Sequence, residues 1–302
     1  MAKEILIEKA DKLAGYTALI LILLGVIQII YGEFFSRSIA LTANGIDCIG
    51  DGFVSAVVWI GLMFFKKPAD QRFHYGYYKM ENLASGLAAV VMIGLAIYIA
   101  IRSYTQLTDP HPVETPIIGA IIAFLAAIIA LGLGFYKFRR SKKSKMGSVK
   151  LEAFNTIKDG AASGLTVVAL ILSSLGFYIA DGIVGIIIAV IIVSIGFAAI
   201  KESSNILVDA CDGECIDLSF SIKQIAEEVK GVKSAHIVRL RRSGPIFQGE
   251  LEVVVPDDMT IKEFNEIKQK IVSHIKEIFP EIERVTITAM TTDKPDTKKS
   301  EK

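Results

Sequence analysis

An α-helical membrane protein is predicted, with six transmembrane helices followed by a small α+β domain of order αββαβ. Three observations predict it. Six apolar runs of about 20 residues each are long enough to cross about 30 Å of hydrocarbon. The 302 residues are 52% hydrophobic with a mean hydropathy of +0.49, too apolar for an ordinary soluble domain. After Asp209 the composition turns to that of a soluble domain, with helix-period and strand-period patterns.

Taken in order, a charged amphipathic opening, Lys3 to Lys12, leads into a first run from Leu13 to Tyr31. The Met-Ala-Lys-Glu start lacks a cleavable signal pattern. A short loop, Gly32 to Ser38, precedes the second run, Ile39 to Phe65, which Lys66, Lys67, Pro68 and Arg72 end. The third runs from Asn82 to Ile101, and the Asp109-Pro110-His111-Pro112 stretch that follows is a loop without Lys or Arg up to Pro116. The fourth, Ile117 to Phe138, stops at a basic block from Lys137 to Lys145, an anchor to anionic headgroups. The fifth, Val149 to Leu172, carries Gly160-Ala161-Ala162-Ser163-Gly164, a small-residue stripe that lets helices approach. The sixth extends from Phe177 to Ile200.

Basic residues concentrate at the N-terminus, after the second and fourth runs, and beyond Lys201. An even number of crossings with both termini in the cytoplasm satisfies all four, so a multi-pass protein of the cell membrane is expected. Net charge of +1 argues against a nucleic-acid partner. The domain limits expected are 1–208 for the membrane part, 209–291 for the cytoplasmic part and 292–302 for a charged, disordered tail. Within 209–291 the pattern predicts a helix over Ile216 to Lys230 and a strand over Val232 to Arg241, then a turn at Ser243-Gly244-Pro245 and a strand over Glu250 to Val255. A helix from Asp257 to Phe279 and a strand over Val285 to Ala289 complete a small split sheet with two helices on one face.

Polar residues inside the apolar runs carry the chemistry. Asp47 and Asp51 are four apart, on one helix face. An ionised Asp in hydrocarbon costs about 2.5–3.5 kcal/mol, so each requires a partner or a cavity. Asn155 and Asp159 repeat the spacing in the fifth run, and two such helices face to face make a four-oxygen site for a divalent cation. Asn44, one helical turn from the pair, is read as an orienting neighbour of the ligands. Lys158 is read as snorkelling to the cytoplasmic surface, in preference to neutralising Asp159. Cys48 points about 100° away from Asp47 and packs. The three cysteines form no disulfide framework, and Cys211 and Cys215 belong to a solvated linker. No Ser/His, His-Glu-x-x-His or Gly-x-Gly-Asp set stands in the apolar runs, so the chain is not expected to be an enzyme or to carry an organic cofactor.

These residues resemble the cation diffusion facilitator family. The resemblance covers Leu13 to Met290 and is carried by Asp47-x-x-x-Asp51, Tyr75-Gly76-Tyr77-x-Lys79-x-Glu81, Asp181-Gly182-Ile183-Val184-Gly185, Lys201-Glu202-Ser203 and Arg241-Arg242-Ser243-Gly244-Pro245. It implies a homodimeric metal/proton antiporter with a ferredoxin- or metallochaperone-like cytoplasmic domain, its ion site formed by Asp47, Asp51, Asn155 and Asp159. It also implies a Lys79–Asp209 interlock that holds the dimer's cytoplasmic part to its membrane part. Zinc-handling members place His where this chain has Asn155, and His near Phe73 and Tyr77, where His74 is displaced by one. Three carboxylates and an amide carbonyl make a hard donor set, which favours Mn²⁺ as the substrate, with Fe²⁺, Zn²⁺ and Cd²⁺ as alternatives. Without a His in the site, proton coupling falls to the three Asp residues. A second metal site in the cytoplasmic domain is considered at His236, Glu250, Glu252 and His274. The alternative function is a membrane-bound metal sensor or signalling scaffold acting through that domain.

Overall fold

A computed structural model describes residues 2–65, 70–144, 147–243 and 246–291. The expected tail 292–302 and the Gly244-Pro245 turn lie outside these residues. The chain forms two compact units, one of Met1–Pro68 with Leu83–Glu202, the other of Ala69–Asn82 with Ser203–Lys302.

Six long helices come first: α1 Ala2–Tyr31, α2 Ile39–Phe65, α3 Lys79–Thr108, α4 Pro116–Ser144, α5 Gly147–Ser174 and α6 Ile179–Leu207. Five of them carry stretches long and apolar enough to cross a membrane: Gly15–Ser36, Asn82–Thr108, Pro116–Arg139, Thr156–Ser174 and Ile179–Leu207. Among the described residues α2 is not one of the five. It is also the helix that carries Asp47 and Asp51. Pro116 starts α4 at the position where a missing N–H costs nothing. The loop expected after α1 is in part helical, a π-helical turn over Gly32–Ser36 that Arg37 ends in left-handed backbone at φ 52°.

Small residues set the helix spacing. A Cβ on Gly45 of α2 would stand 2.7 Å from the Gly25 carbonyl oxygen of α1, and the reverse holds at 2.6 Å. Backbones that close admit no side chain at either position. Gly160 of α5 likewise would drive a Cβ to 2.6 Å from Leu131 Cγ of α4. Gly164, which the stripe pairs with Gly160, meets nothing within 4 Å. One half of the stripe packs; the other does not.

The second unit contains α7 Gly213–Glu227, β1 Ser234–Ser243, β2 Ile246–Val254, α8 Ile261–Ile278 and β3 Ile282–Met290. α7 starts where the Asp212 side chain accepts the Cys215 N–H, and α8 where Thr260 and Glu263 form a reciprocal capping box. Leu218, Ile222 and Ala226 of α7 and Ile267, Ile271 and Ile275 of α8 recur at helical spacing and join Leu240, Leu251, Val253 and Ile287 in one core.

The sheet runs β1-β2-β3, with β1 antiparallel and β3 parallel to β2. This corrects the expected split sheet. β2 and β3, joined through α8, are direct neighbours with Leu251 opposite Ile287, so no strand is inserted between them. A second correction concerns the linker: Cys211 and Cys215 form a disulfide with Cα atoms 5.2 Å apart, and Cys215 is fully buried. Asp212 as N-cap turns the chain so that residue 211 lies over the first turn of α7, which brings the two sulfurs together.

Candidate metal centre

α2 and α5 pack against each other, and their carboxylates converge. One oxygen from each of Asp47, Asp51 and Asp159 lies within 4.8 Å of the other two. Asp47 is 3% and Asp159 0% exposed. Asp47 Oδ2 and Asp159 Oδ2 are buried without a hydrogen-bond partner. Buried lone pairs of this kind are rare unless a cation or water completes them. Among the described residues this is the only group of His, Cys, Asp or Glu with metal-site geometry. Asn155 lies on α5 one turn before Asp159, and its side chain is outside the described ones.

Lys158 corrects the sequence reading. It does not snorkel away: Nζ stands 3.3 Å from Asp47 Oδ1, 3.2 Å from Asp51 Oδ2 and 3.0 Å from Asp159 Oδ1. Its donation is aligned toward Asp47 and Asp51, whereas at Asp159 the contact is an ion pair without hydrogen-bond alignment. Three acids in one apolar pocket create a field that outweighs the pull of surface water on the ammonium.

Asn44 stands a turn away. Its Nδ2 donates to Gln28 Oε1 at 2.5 Å and to Ser163 Oγ at 2.9 Å, so it ties α1, α2 and α5 together beside the acids. Cys48 is buried, and among the described residues it belongs to no metal-holding group.

The Asp181-Gly182 motif has a role that the sequence did not reveal. At the start of α6, the Asp181 carboxylate accepts Ser38 Oγ at 2.5 Å and the N–H groups of Ile39 at 2.7 Å and Ala40 at 3.3 Å. Ser38 Oγ in turn accepts the Leu41 N–H. A buried acid thereby neutralises the positive end of α2, the helix that presents Asp47 and Asp51. The signal was present in the sequence: an acid opening an apolar run demands a partner. A second acid, Glu33, pairs with Arg102 of α3 and accepts Thr42 Oγ1 at 3.3 Å.

In the second unit, Lys79 Nζ donates to Asp209 Oδ1 at 2.8 Å and to the Leu207 carbonyl at 3.1 Å. Asp209 ends α6 in left-handed backbone at φ 62°, so the lysine satisfies both its carboxylate and a terminal carbonyl of the helix. Arg241 adds an ion pair to Asp209 at 3.6 Å and lies 4.7 Å over the Tyr75 ring. Tyr77 donates to Asp70.

The four residues considered for a cytoplasmic metal site are not brought together as a metal-holding group. His236 is exposed beside an irregularity in the β1–β2 register, and Glu250 faces Arg239. Glu252 is opposite Thr288, and His274 is exposed on α8. Strand alternation puts Glu250 and Glu252 on one face, while the α8 histidine is carried elsewhere.

Residues 15–208 match the family described as the cation efflux transmembrane domain, and residues 219–288 match the cation efflux protein cytoplasmic domain. The manganese efflux system protein MneS of Bacillus subtilis (strain 168) is 27% identical over 256 residues, 85% of this chain and 87% of that protein. The cation-efflux pump FieF of Shewanella oneidensis is 25% identical over 277 residues, 92% of each chain. Among solved structures, the MamM CTD aligns with 27% of this chain and 100% of its own, at 20% identity and a TM-score of 0.26. With both of its domains matched in order, the chain belongs to the cation diffusion facilitator family and is a membrane transporter for cation efflux, not an enzyme.

Proposed function

We propose that this transporter carries a divalent transition metal, Mn²⁺ foremost, out of the cytoplasm in exchange for protons by alternating access. Asp47, Asp51 and Asp159 hold the cargo, with Asn155 as fourth donor. One observation carries the reading: three acids from two apolar helices meet within 4.8 Å in a buried pocket. Lys158 offsets only one of the three acids, and a divalent cation suits the excess that remains. Carboxylate oxygens, with an amide in place of imidazole, suit Mn²⁺ better than Zn²⁺. The similarity to a manganese efflux protein agrees with that order, and Fe²⁺, Zn²⁺ and Cd²⁺ follow.

The remaining parts fit around this step. Residues 1–208 make six crossings of the cell membrane with both termini inside, α2 serving as the second crossing. Residues 209–291 form the cytoplasmic part through which two copies pair. The Lys79–Asp209 pair fastens the start of α3 to the end of α6. Protons reach the Asp residues when the metal leaves, because no His stands among them.

The test is metal uptake into proteoliposomes across a panel of divalent cations, with Asp51→Ala beside the parent. Uptake of Mn²⁺ ahead of Zn²⁺, driven by an imposed pH gradient and lost in Asp51→Ala, is expected. Zinc strongly preferred over manganese would overturn the cargo; equal uptake with and without the gradient would overturn the exchange.

A further inference from the structure

The pocket already holds a cation of its own. Lys158 Nζ is 3.0–3.3 Å from one oxygen of each of the three acids, and those acids are the ones whose ligand atoms cluster within 4.8 Å. A transition cation draws carboxylate oxygens to roughly 2.0–2.2 Å from a common point. An atom 3.0–3.3 Å from an oxygen of all three carboxylates takes up space that such a point needs. Ammonium and metal therefore exclude each other, by volume and by charge.

The side chain also has somewhere to go. Residues 158 and 159 are neighbours on α5, about 100° apart around the helix, so Lys158 reaches the Asp159 pocket only by bending its four-carbon stem. It is a quarter exposed while Asp159 is fully buried. A flexible stem rooted outside the pocket, with its charge inside, can retreat without any movement of the helix.

We propose that Lys158 is a tethered competitor that closes the empty site and withdraws when the cargo binds, and so sets affinity and charge selectivity. This rests on the reading that the three acids hold the cargo. Displacing an ammonium held by three carboxylates takes more than a single charge, so Na⁺ and K⁺ fail where a divalent ion succeeds. The competition also weakens the grip on the divalent ion, which hastens release on the far side.

The experiment titrates Mn²⁺ into the full chain in detergent, for the parent, Lys158→Met, Lys158→Gln, Lys158→Arg and Asp51→Ala. Removal of the charge in the Met and Gln variants is expected to tighten Mn²⁺ binding by about tenfold or more and to let excess Na⁺ compete with Mn²⁺, while Arg, which keeps the charge, does not tighten it. In proteoliposomes the same two variants lower the KM for Mn²⁺ and also the maximal rate, a split that simple loss of packing does not produce. Mn²⁺ binding in both the Met and Gln variants that is no tighter than in the parent overturns the proposal. If Asp51→Ala loses binding in that case, the acidic site stands and only the role of Lys158 falls. If Asp51→Ala binds like the parent, the site itself is wrong.

Discussion

Asp181 Oδ2 accepts the Ile39 N–H at 2.7 Å, so the first turn of α6 caps the first turn of α2 across 142 residues of sequence. The helix that carries Asp47 and Asp51 is thus held at its N-terminus by a third acid.

Replacing Asp181 by Ala removes three accepted hydrogen bonds from the start of α2. A loss of about 2 kcal/mol is expected, and Asn, which keeps one carbonyl acceptor, loses less. Thermal unfolding of the detergent-solubilised chain should drop by roughly 4–8 °C for Asp181→Ala. An unchanged melting temperature would mean that α2 holds its N-terminus without this acid.

The small-residue stripe of α5 is asymmetric, and a pair of substitutions reads that directly. Gly160→Val pushes a branched side chain into Leu131 and is expected to cost about 1–3 kcal/mol, whereas Gly164→Val enters open space and is tolerated. Expression and melting temperature of the two variants check it; equal damage would show that Gly164 packs against something.

On the proposed ligand set, Asn155→His adds an imidazole to oxygen donors. A shift of preference from Mn²⁺ toward Zn²⁺ by about tenfold is expected in the vesicle panel. Retention of the parental order would remove Asn155 from the ligand set.

The Glu263 carboxyl is held below its ordinary value of 4.5 by the Thr260 N–H and hydroxyl that it accepts. For a depressed acid, the capping contribution is present above the unfolded value and fades as pH falls through the lower folded value. An NMR titration should place Glu263 below 4.5 in the parent and move it upward in Thr260→Ala. No difference between the two would remove the hydroxyl as a cause.

The helices were legible because their signal is local. Ile39 and Phe65 bound both the expected and the observed α2, and an apolar run needs no partner to be read. Helix ends were less so: α6 continues to Leu207, since its last turns follow the Asp209 turn and the Lys79 contact, which sequence spacing does not encode. The same limit explains the sheet. Alternation located strands, but adjacency of β2 and β3 is a choice among distant segments. That the acids of α2 and α5 would converge was legible from the spacing of Asp47 and Asp51 and the burial cost of Asp159. Lys158 was misplaced because the helical wheel fixes where a side chain starts, whereas four rotatable carbons decide where its charge ends.

Asp209 shows what such a chain demands of one residue. Its backbone at φ 62° suits Gly, Asn and Asp, and its carboxylate is gripped by Lys79 and Arg241. Glycine would ease the turn and forfeit the grip, asparagine would keep the shape without the charge, and glutamate would keep the charge on a strained turn. Two unrelated requirements overlap there on a single amino acid, which leaves the position almost no freedom to drift.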